Sequence, residues 1–352
     1  MNKSKKRNSY IIAITILLVL VIFFVFWLIM QKDVSRGKGN TEISAWLVDW
    51  QWKAGLKDFL EVPNTFTSIQ LFAGYFDESD RLMFTREFDE AMPEIIQSTV
   101  DSKLQAVYMT VVNDRFENDG AVIQKDPHLI SRLVASKDTR KQHIDEIVSA
   151  AEEYGFDGVE IDYENIEKAD WNNVCLFYHE LYDVLKEQGK MLRIVLESKA
   201  PIETLSLPEG PTYSMMAYNL YGAHSGPGPK ADKDFLIKLA NKMNQLPGKP
   251  IIALSVGGFD WNKDDESVSA VTEKEAIERA KNSTAKPKRD PDSGSLYFDY
   301  KDNRGSSHTI WYADHKTVSK WIKIVEQEGI EGITIWRLGG ISKGTLHSLD
   351  KH

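Results

Sequence analysis

Residues 157–164 read Asp-Gly-Val-Glu-Ile-Asp-Tyr-Glu, so Glu160, Asp162 and Glu164 stand two apart. Along a strand, side chains alternate between the two faces. Val159, Ile161 and Tyr163 then share one face and the three acids share the other. Carboxyl groups this close repel one another when ionised, so at least one must keep its proton above the ordinary carboxylate range. A protonated carboxylic acid beside an ionised one is the pairing used in general acid–base catalysis. The competing reading is an edge strand with a wet acidic face. Against it, Glu153-Tyr154-Gly155-Phe156 leads out of a helical pattern directly into this run. Parallel strands fed by helices are covered on both faces, so an acidic face there must look into a site or a barrel interior.

The elements around this run have the required rhythm. Short apolar stretches at 43–48, 68–73, 105–112, 157–163, 191–197, 213–218, 250–256 and 331–336 read as strands. Amphipathic stretches at 140–154, 171–188, 233–245 and 315–328 repeat apolar residues at three- and four-residue steps, as helices do. Gly155, Gly189, Gly248 and Gly329 follow them as stop signals. Eight strands with intervening helices predict an α/β fold, a (β/α)8 TIM barrel over 41–352, with a doubly wound open sheet as the rival. Residues 259–312 interrupt the rhythm between strands seven and eight. Within them, 295–300 and 307–312 flank a Gly-containing turn and predict a β-hairpin on the C-terminal rim.

The N-terminus has a different character. Residues 10–30 contain no charge, Pro or Gly. About 20 apolar residues cross the roughly 30 Å hydrocarbon layer of a bilayer. Lys3, Lys5, Lys6 and Arg7 precede the run, so residues 1–9 are expected in the cytoplasm and the body outside. A cleaved signal peptide is the rival, but its apolar core is usually shorter and ends in a small-residue cleavage site. The reading is therefore one transmembrane signal-anchor helix in a lipid bilayer, followed by a flexible polar tether over 31–40. The chain's net charge is -9. An acidic body weighs against a nucleic-acid partner, which needs clustered Lys and Arg. A single cysteine, Cys175, excludes an intramolecular disulfide and any Cys-based zinc cluster. The eight His residues show no zinc-ligand spacing, and there is no G-x-S-x-G elbow, P-loop or dinucleotide fingerprint.

DGVEIDYE resembles the DGxDxDxE signature of glycoside hydrolase family 18, which includes chitinases and bacterial cell-wall or spore-cortex glucosaminidases. Further pieces fall in the family's order. Met216-Ala217-Tyr218-Asn219 is similar to its sixth-strand motif, and Ile333-Thr334-Ile335-Trp336 to its eighth strand, whose Trp floors the sugar site. The runs 226–232 and 309–314 resemble loops of the cortex-hydrolase branch. There are departures. Glu160 replaces the second Asp of the signature, and Asn219 stands where many chitinases have Asp. The third-strand S-x-G-G motif is missing; Ser255-Val256-Gly257-Gly258 has those letters but lies in strand seven.

The resemblance implies a (β/α)8 barrel and substrate-assisted hydrolysis of β-linked N-acetylglucosamine polymers, with no metal or organic cofactor. It implies Glu164 as acid/base, Asp162 as the carboxylate that orients the substrate's acetamido group, and Tyr218 as a hydroxyl donor to it. Glu160, Asn219, Met216 and Trp336 are the expected substrate-binding residues. Trp336 reads either as a sugar platform or as a core residue at a strand end, and Tyr218 carries the same ambiguity. Trp46, Trp50 and Trp52 cluster after strand one, and their parity puts them on different faces. The expected function is a membrane-anchored retaining glycosidase acting on peptidoglycan or a chitin-like glycan outside the cell. The alternative is a non-catalytic glycan-binding or scaffold protein on the same barrel, since function resides in the site and not in the fold.

Overall fold

Eight of the apolar runs close on one another as a ring of parallel strands. The computed structural model describes residues 42–352 apart from 101 and 284. The basic segment 1–9, the apolar run 10–30 and the tether 31–40 lie outside the described residues. Among the described residues no helix is long and apolar enough to cross a membrane. The ring strands are β1 (Glu42–Val48), β2 (Ser68–Phe76), β3 (Ala106–Phe116), β4 (Gly158–Asp162), β5 (Met191–Leu196), β6 (Thr212–Met216), β7 (Ile251–Ser255) and β8 (Gly332–Trp336). Each pairs in parallel with its sequence neighbour, and β8 returns to β1 with Glu42 opposite Gly332, so no edge is left in the ring. The sheet is therefore a closed eight-stranded barrel.

Alternation sorts the residues as a barrel requires. Ala45, Leu47, Val159, Ile161, Ile194, Ile333 and Ile335 face outward and join the core beneath the helices. Trp46, Val48, Phe72, Tyr75, Val112, Val195, Met216 and Ala253 pack inside the ring. In β2 the register slips between Phe72 and Gly74, which is why Phe72 and Tyr75 both end up inside. Tyr163 faces out, and its hydroxyl lies 2.6 Å from Nε2 of buried His143. Burial pushes that imidazole down to about 3, which keeps it neutral.

The helices are α1 (Trp52–Glu61), α2 (Arg86–Thr99), α3 (Pro127–Val134), α4 (Lys137–Glu153), α5 (Trp171–Glu187), α6 (Lys233–Met243), α7 (Glu273–Asn282), α8 (His315–Gln327) and α9 (Lys343–Leu349). The helices expected at 140–154, 171–188, 233–245 and 315–328 are α4, α5, α6 and α8. Each expected stop glycine has positive φ. Side-chain caps start several of them: Asp232 accepts from Phe235 N, Asp314 from Thr317 N, and Ser136 with Thr139 forms a reciprocal pair. Cys175 is a buried thiol of α5. Between β5 and β6, among the described residues, the connection holds only a 3-10 turn at Ile202–Thr204.

The interruption between β7 and β8 is larger than a hairpin. The expected pair forms, as strands Leu296–Lys301 and Ser307–Ala313. Gly257–Asn262, Val268–Val271 and Lys288–Arg289 join them in a five-stranded antiparallel sheet, with α7 packed on it. Val271, Ala276, Ala280, Phe298, Ile310 and Tyr312 form its own small core. Gly257 and Gly258 make the exit from β7 possible. Gly257 has φ +78, and a Cβ on Gly258 would lie 1.7 Å from the carbonyl oxygen of Trp311. The Ser-Val-Gly-Gly letters thus serve the turn from barrel to insertion.

Candidate active site

Glu160 and Asp162 of β4 point into the ring, Glu164 follows just past the strand end, and their surroundings differ step by step towards the C-terminal mouth. Glu160 is deepest, with no exposed surface. Its Oε1 accepts from Trp46 Nε1 at 2.6 Å and from Thr110 Oγ1 at 2.9 Å. Its Oε2 accepts from Arg193 Nε at 2.9 Å, an ion pair buried on both sides. Arg193 is the β5 residue directly opposite Glu160 in register. Both Glu160 oxygens are thus taken by protein donors.

Asp162 is 4 % exposed, and its Oδ1 has no hydrogen-bond partner among the described residues. Burial, then the charges of Glu164 and Glu160, hold its carboxyl well above the usual range. Glu164 lies just past the strand end and keeps some access to solvent. Burial raises its carboxyl too, while Lys125 pulls it down through an ion pair. The pair Asp162 and Glu164 thus titrates together above the ordinary carboxylate value. The backbone of Glu164 is fixed from β3. Asn113 Oδ1 accepts from Glu164 N and Asn113 Nδ2 donates to Glu164 O, both at 2.9 Å. Glu197, at the end of β5, accepts from the next amide, Asn165 N, at 2.8 Å. Asp114 accepts from Lys125 N at 2.7 Å and so places the loop that carries the lysine.

An aromatic wall completes the mouth. Tyr218 and Trp336 stack with centroids 6.4 Å apart and planes at 16°. Trp46 and Phe72 meet Trp336 edge-on at 5.6 and 5.3 Å, which locks its ring. Burial and the charges of Asp162, Glu164 and Glu160 raise the Tyr218 hydroxyl, which places it in the field of all three acids. Met216 is buried in the same cluster. Asn219 is half-buried, and its Oδ1 accepts from Ser198 Oγ at 3.1 Å. Of the three early tryptophans, Trp46 is the inward one, Trp52 packs outward and Trp50 is half exposed.

Arg193, Lys125 and Thr110 play parts the sequence reading does not assign. Arg193 had a visible signal. It is the single charge inside the apolar run Met191–Leu196, at the parity that faces the ring. Lys125 gave none, because its contact with Glu164 joins loops 39 positions apart.

The raised carboxyls have a cost that can be measured. A carboxyl whose pKa is raised by folding leaves stability intact below the ordinary carboxylate value and loses it as pH rises through the raised value. Asp162→Asn removes that loss. It is expected to raise the unfolding midpoint by a few degrees at pH 7, with the gain vanishing under acid conditions where both states are protonated. Thermal unfolding of both proteins from pH 3 to 8 checks this. A variant equal to or less stable than wild type at pH 7 would contradict the assignment of strain to Asp162.

The family model Glycosyl hydrolases family 18 matches residues 124–340. The chain is 24% identical over 245 residues to the uncharacterized glycosylase YvbX of Bacillus subtilis, covering 66% of this chain and 71% of that one. It is 23% identical over 234 residues to the cortical fragment-lytic enzyme of the same organism, covering 60% of this chain and about half, 53%, of the relative. A chitinase crystal structure from Chromobacterium violaceum superposes with TM-score 0.74 at 16% identity, covering 88% of this chain and 98% of the chitinase. At that identity the likeness speaks for the barrel fold.

Proposed function

The chain belongs to glycosyl hydrolase family 18 and is a glycoside hydrolase, and on that footing we propose a retaining, substrate-assisted cleavage of β-linked N-acetylglucosamine polymers. The observation that carries this is Asp162, a buried carboxyl whose Oδ1 has no donor among the described residues, next to a second raised carboxyl. A buried acceptor without a partner costs free energy, and a substrate N–H supplies the missing bond.

In this reading Glu164 gives its proton to the glycosidic oxygen as the bond from that oxygen to the anomeric carbon breaks. The carbonyl oxygen of the sugar's own 2-acetamido group bonds to the anomeric carbon, giving an oxazolinium ion. Asp162 accepts the acetamido N–H and offsets the positive charge that develops. Tyr218 donates its hydroxyl to the acetamido oxygen, and Trp336 carries the sugar's apolar face. Glu164, now ionised, takes a proton from water as the water oxygen bonds to the anomeric carbon and the bond from that carbon to the acetamido oxygen breaks, restoring the acetamide. The net change is hydrolysis with the β-configuration kept.

The basic segment 1–9, the apolar run 10–30 and the polar stretch 31–40 enter the proposal as a cytoplasmic end, a signal-anchor helix and a tether that hold the barrel outside the cell membrane. That placement, and the name of the cortical fragment-lytic relative, favour peptidoglycan over free chitin. Incubation with peptide-free wall glycan and with chitooligosaccharides, followed by mass spectrometry of the released ends, tests the function. Glycan binding without any new reducing ends would instead favour the non-catalytic reading.

Two variants probe the roles. Asp162→Asn should lower kcat on chitooligosaccharides about 10²-fold, with a smaller change in binding, because its charge matters most in the transition state. Unchanged kcat would exclude the acetamido mechanism. Lys125→Met should move the alkaline limb of the kcat/KM profile to higher pH. Glu164 must be protonated to act, and the lysine is what pulls its pKa down. A limb that stays in place or moves to lower pH would show that another group controls it.

A further inference from the structure

Beside Trp336 lies a second cavity, of about 170 Å³, whose walls include neither Asp162 nor Glu164. Lys230, Ser255, Arg337 and Gln51 line it. Lys230 Nζ donates to Ser255 Oγ at 3.0 Å and sits 4.6 Å from the centre of the Phe259 ring. Arg337 Nη1 donates to Gln51 Oε1 at 2.6 Å, and its guanidinium lies 5.5 Å from the Trp50 ring. Among the described residues neither cation has a carboxylate within 4.0 Å. Other buried or partly buried arginines of this chain do, as Arg140 with Glu180, Arg193 with Glu160 and Arg289 with Asp314.

Two acids also reach this cavity, but both are occupied at the start of α7. Glu273 accepts from Ser342 N, Ser342 Oγ and Thr345 Oγ1. Glu275 accepts from Thr272 N and Thr272 Oγ1. Lys230 and Arg337 oppose each other in one hollow, with the charge of Glu275 only partly offsetting Arg337. Burial, then the charge of Arg337, pushes the Lys230 amine down to about 8. A bound anion would relieve both effects. The hollow is smaller than the roughly 300–1,000 Å³ of a pocket for a whole ligand, so it suits a substituent on a larger molecule.

We propose that this cavity binds the carboxylate of the sugar next to the one seated on Trp336, with Lys230 and Arg337 as its partners. The inference rests on the glycosidase reading of the neighbouring cleft and deepens it. The substrate is then an acidic N-acetylated glycan and not a neutral one. In wall glycan the acid is the 3-O-lactyl group of N-acetylmuramic acid, which alternates with N-acetylglucosamine. A glucosamine unit on Trp336 is therefore flanked by muramic units, and cleavage leaves an N-acetylglucosamine reducing end.

The test measures binding apart from turnover. Peptide-free wall glycan strands, with lactyl carboxylates either free or converted to amides, are titrated calorimetrically into the Glu164→Gln chain. The free acid should bind at least tenfold more tightly than the amide. Adding Lys230→Gln and Arg337→Gln should shrink that preference to about twofold, and Lys230→Arg in place of Lys230→Gln should restore part of it. No preference between acid and amide, or a preference that survives loss of both cations, would overturn the proposal. The acid-versus-amide comparison decides even if the variants fail to fold. The glycosidase reading is judged separately, by reducing ends released from chitohexaose by the wild-type chain. Release without a carboxylate preference removes only the acidic subsite; the preference without release keeps the subsite and removes catalysis.

Discussion

Glu164→Gln is expected to lower turnover of glycan about 10³-fold while leaving the fold and glycan binding in place, within the ~10²–10⁴ range typical of a lost general acid. The amide matches the acid in shape but cannot deliver a proton to the leaving oxygen. Nor can it take one from water in the second half of the reaction, so both steps suffer. Its backbone remains clamped on both sides by Asn113, which keeps the side chain at the mouth. The substitution also frees Lys125 from its ion pair. That pair is partly exposed, so its loss costs at most about 1 kcal/mol of stability. Reducing-end release over a long time course, with circular dichroism as the control for folding, reads the effect. Turnover within tenfold of wild type would remove Glu164 from the chemistry and leave the mechanism without its acid.

The barrel was legible in the sequence because eight strands have nearly continuous apolar runs, and a closed parallel sheet demands them. The acid row was legible for the opposite reason. Glu160, Asp162 and Glu164 break the apolar pattern at one parity, and only an inward-facing site tolerates that. What escaped the reading has a common cause, which is contact between distant positions. The ion pair of Glu160 with Arg193 joins β4 to neighbouring β5, and its hydrogen bond from Trp46 joins β4 to β1 across the ring. Parity alone predicts that such residues face inward, but not which of them meet. The insertion sheet escaped for a local reason. Gly257–Asn262 opens on two glycines, which leaves only four side chains to show a pattern, and Val268–Val271 has mostly exposed side chains. Helix α2 carries Pro93 inside it and α1 carries Gly55, which weaken the usual helical pattern.

Arg193→Met is expected to destabilise the fold by about 3–5 kcal/mol, the cost typical of stranding one partner of a buried ion pair. Methionine has similar length and fills much of the space, so lost packing is a minor part. The major part is Glu160, left with hydrogen bonds from Trp46 and Thr110 but no counter-charge, at a site with no exposed surface. Adding Glu160→Gln separates the two. The amide oxygen still accepts from Trp46 Nε1 and Thr110 Oγ1, while the stranded charge is gone. The double variant should therefore recover more than half of the loss in urea unfolding, a coupling that independent sites do not show. A double variant no more stable than Arg193→Met alone would mean that packing, and not charge, sets the cost. The same substitution reaches the chemistry. Glu160 already raises Asp162 through its charge, and without Arg193 that push is unopposed. The single variant, assayed where it remains folded, should therefore need higher pH to ionise Asp162, and its acid limb should shift upward.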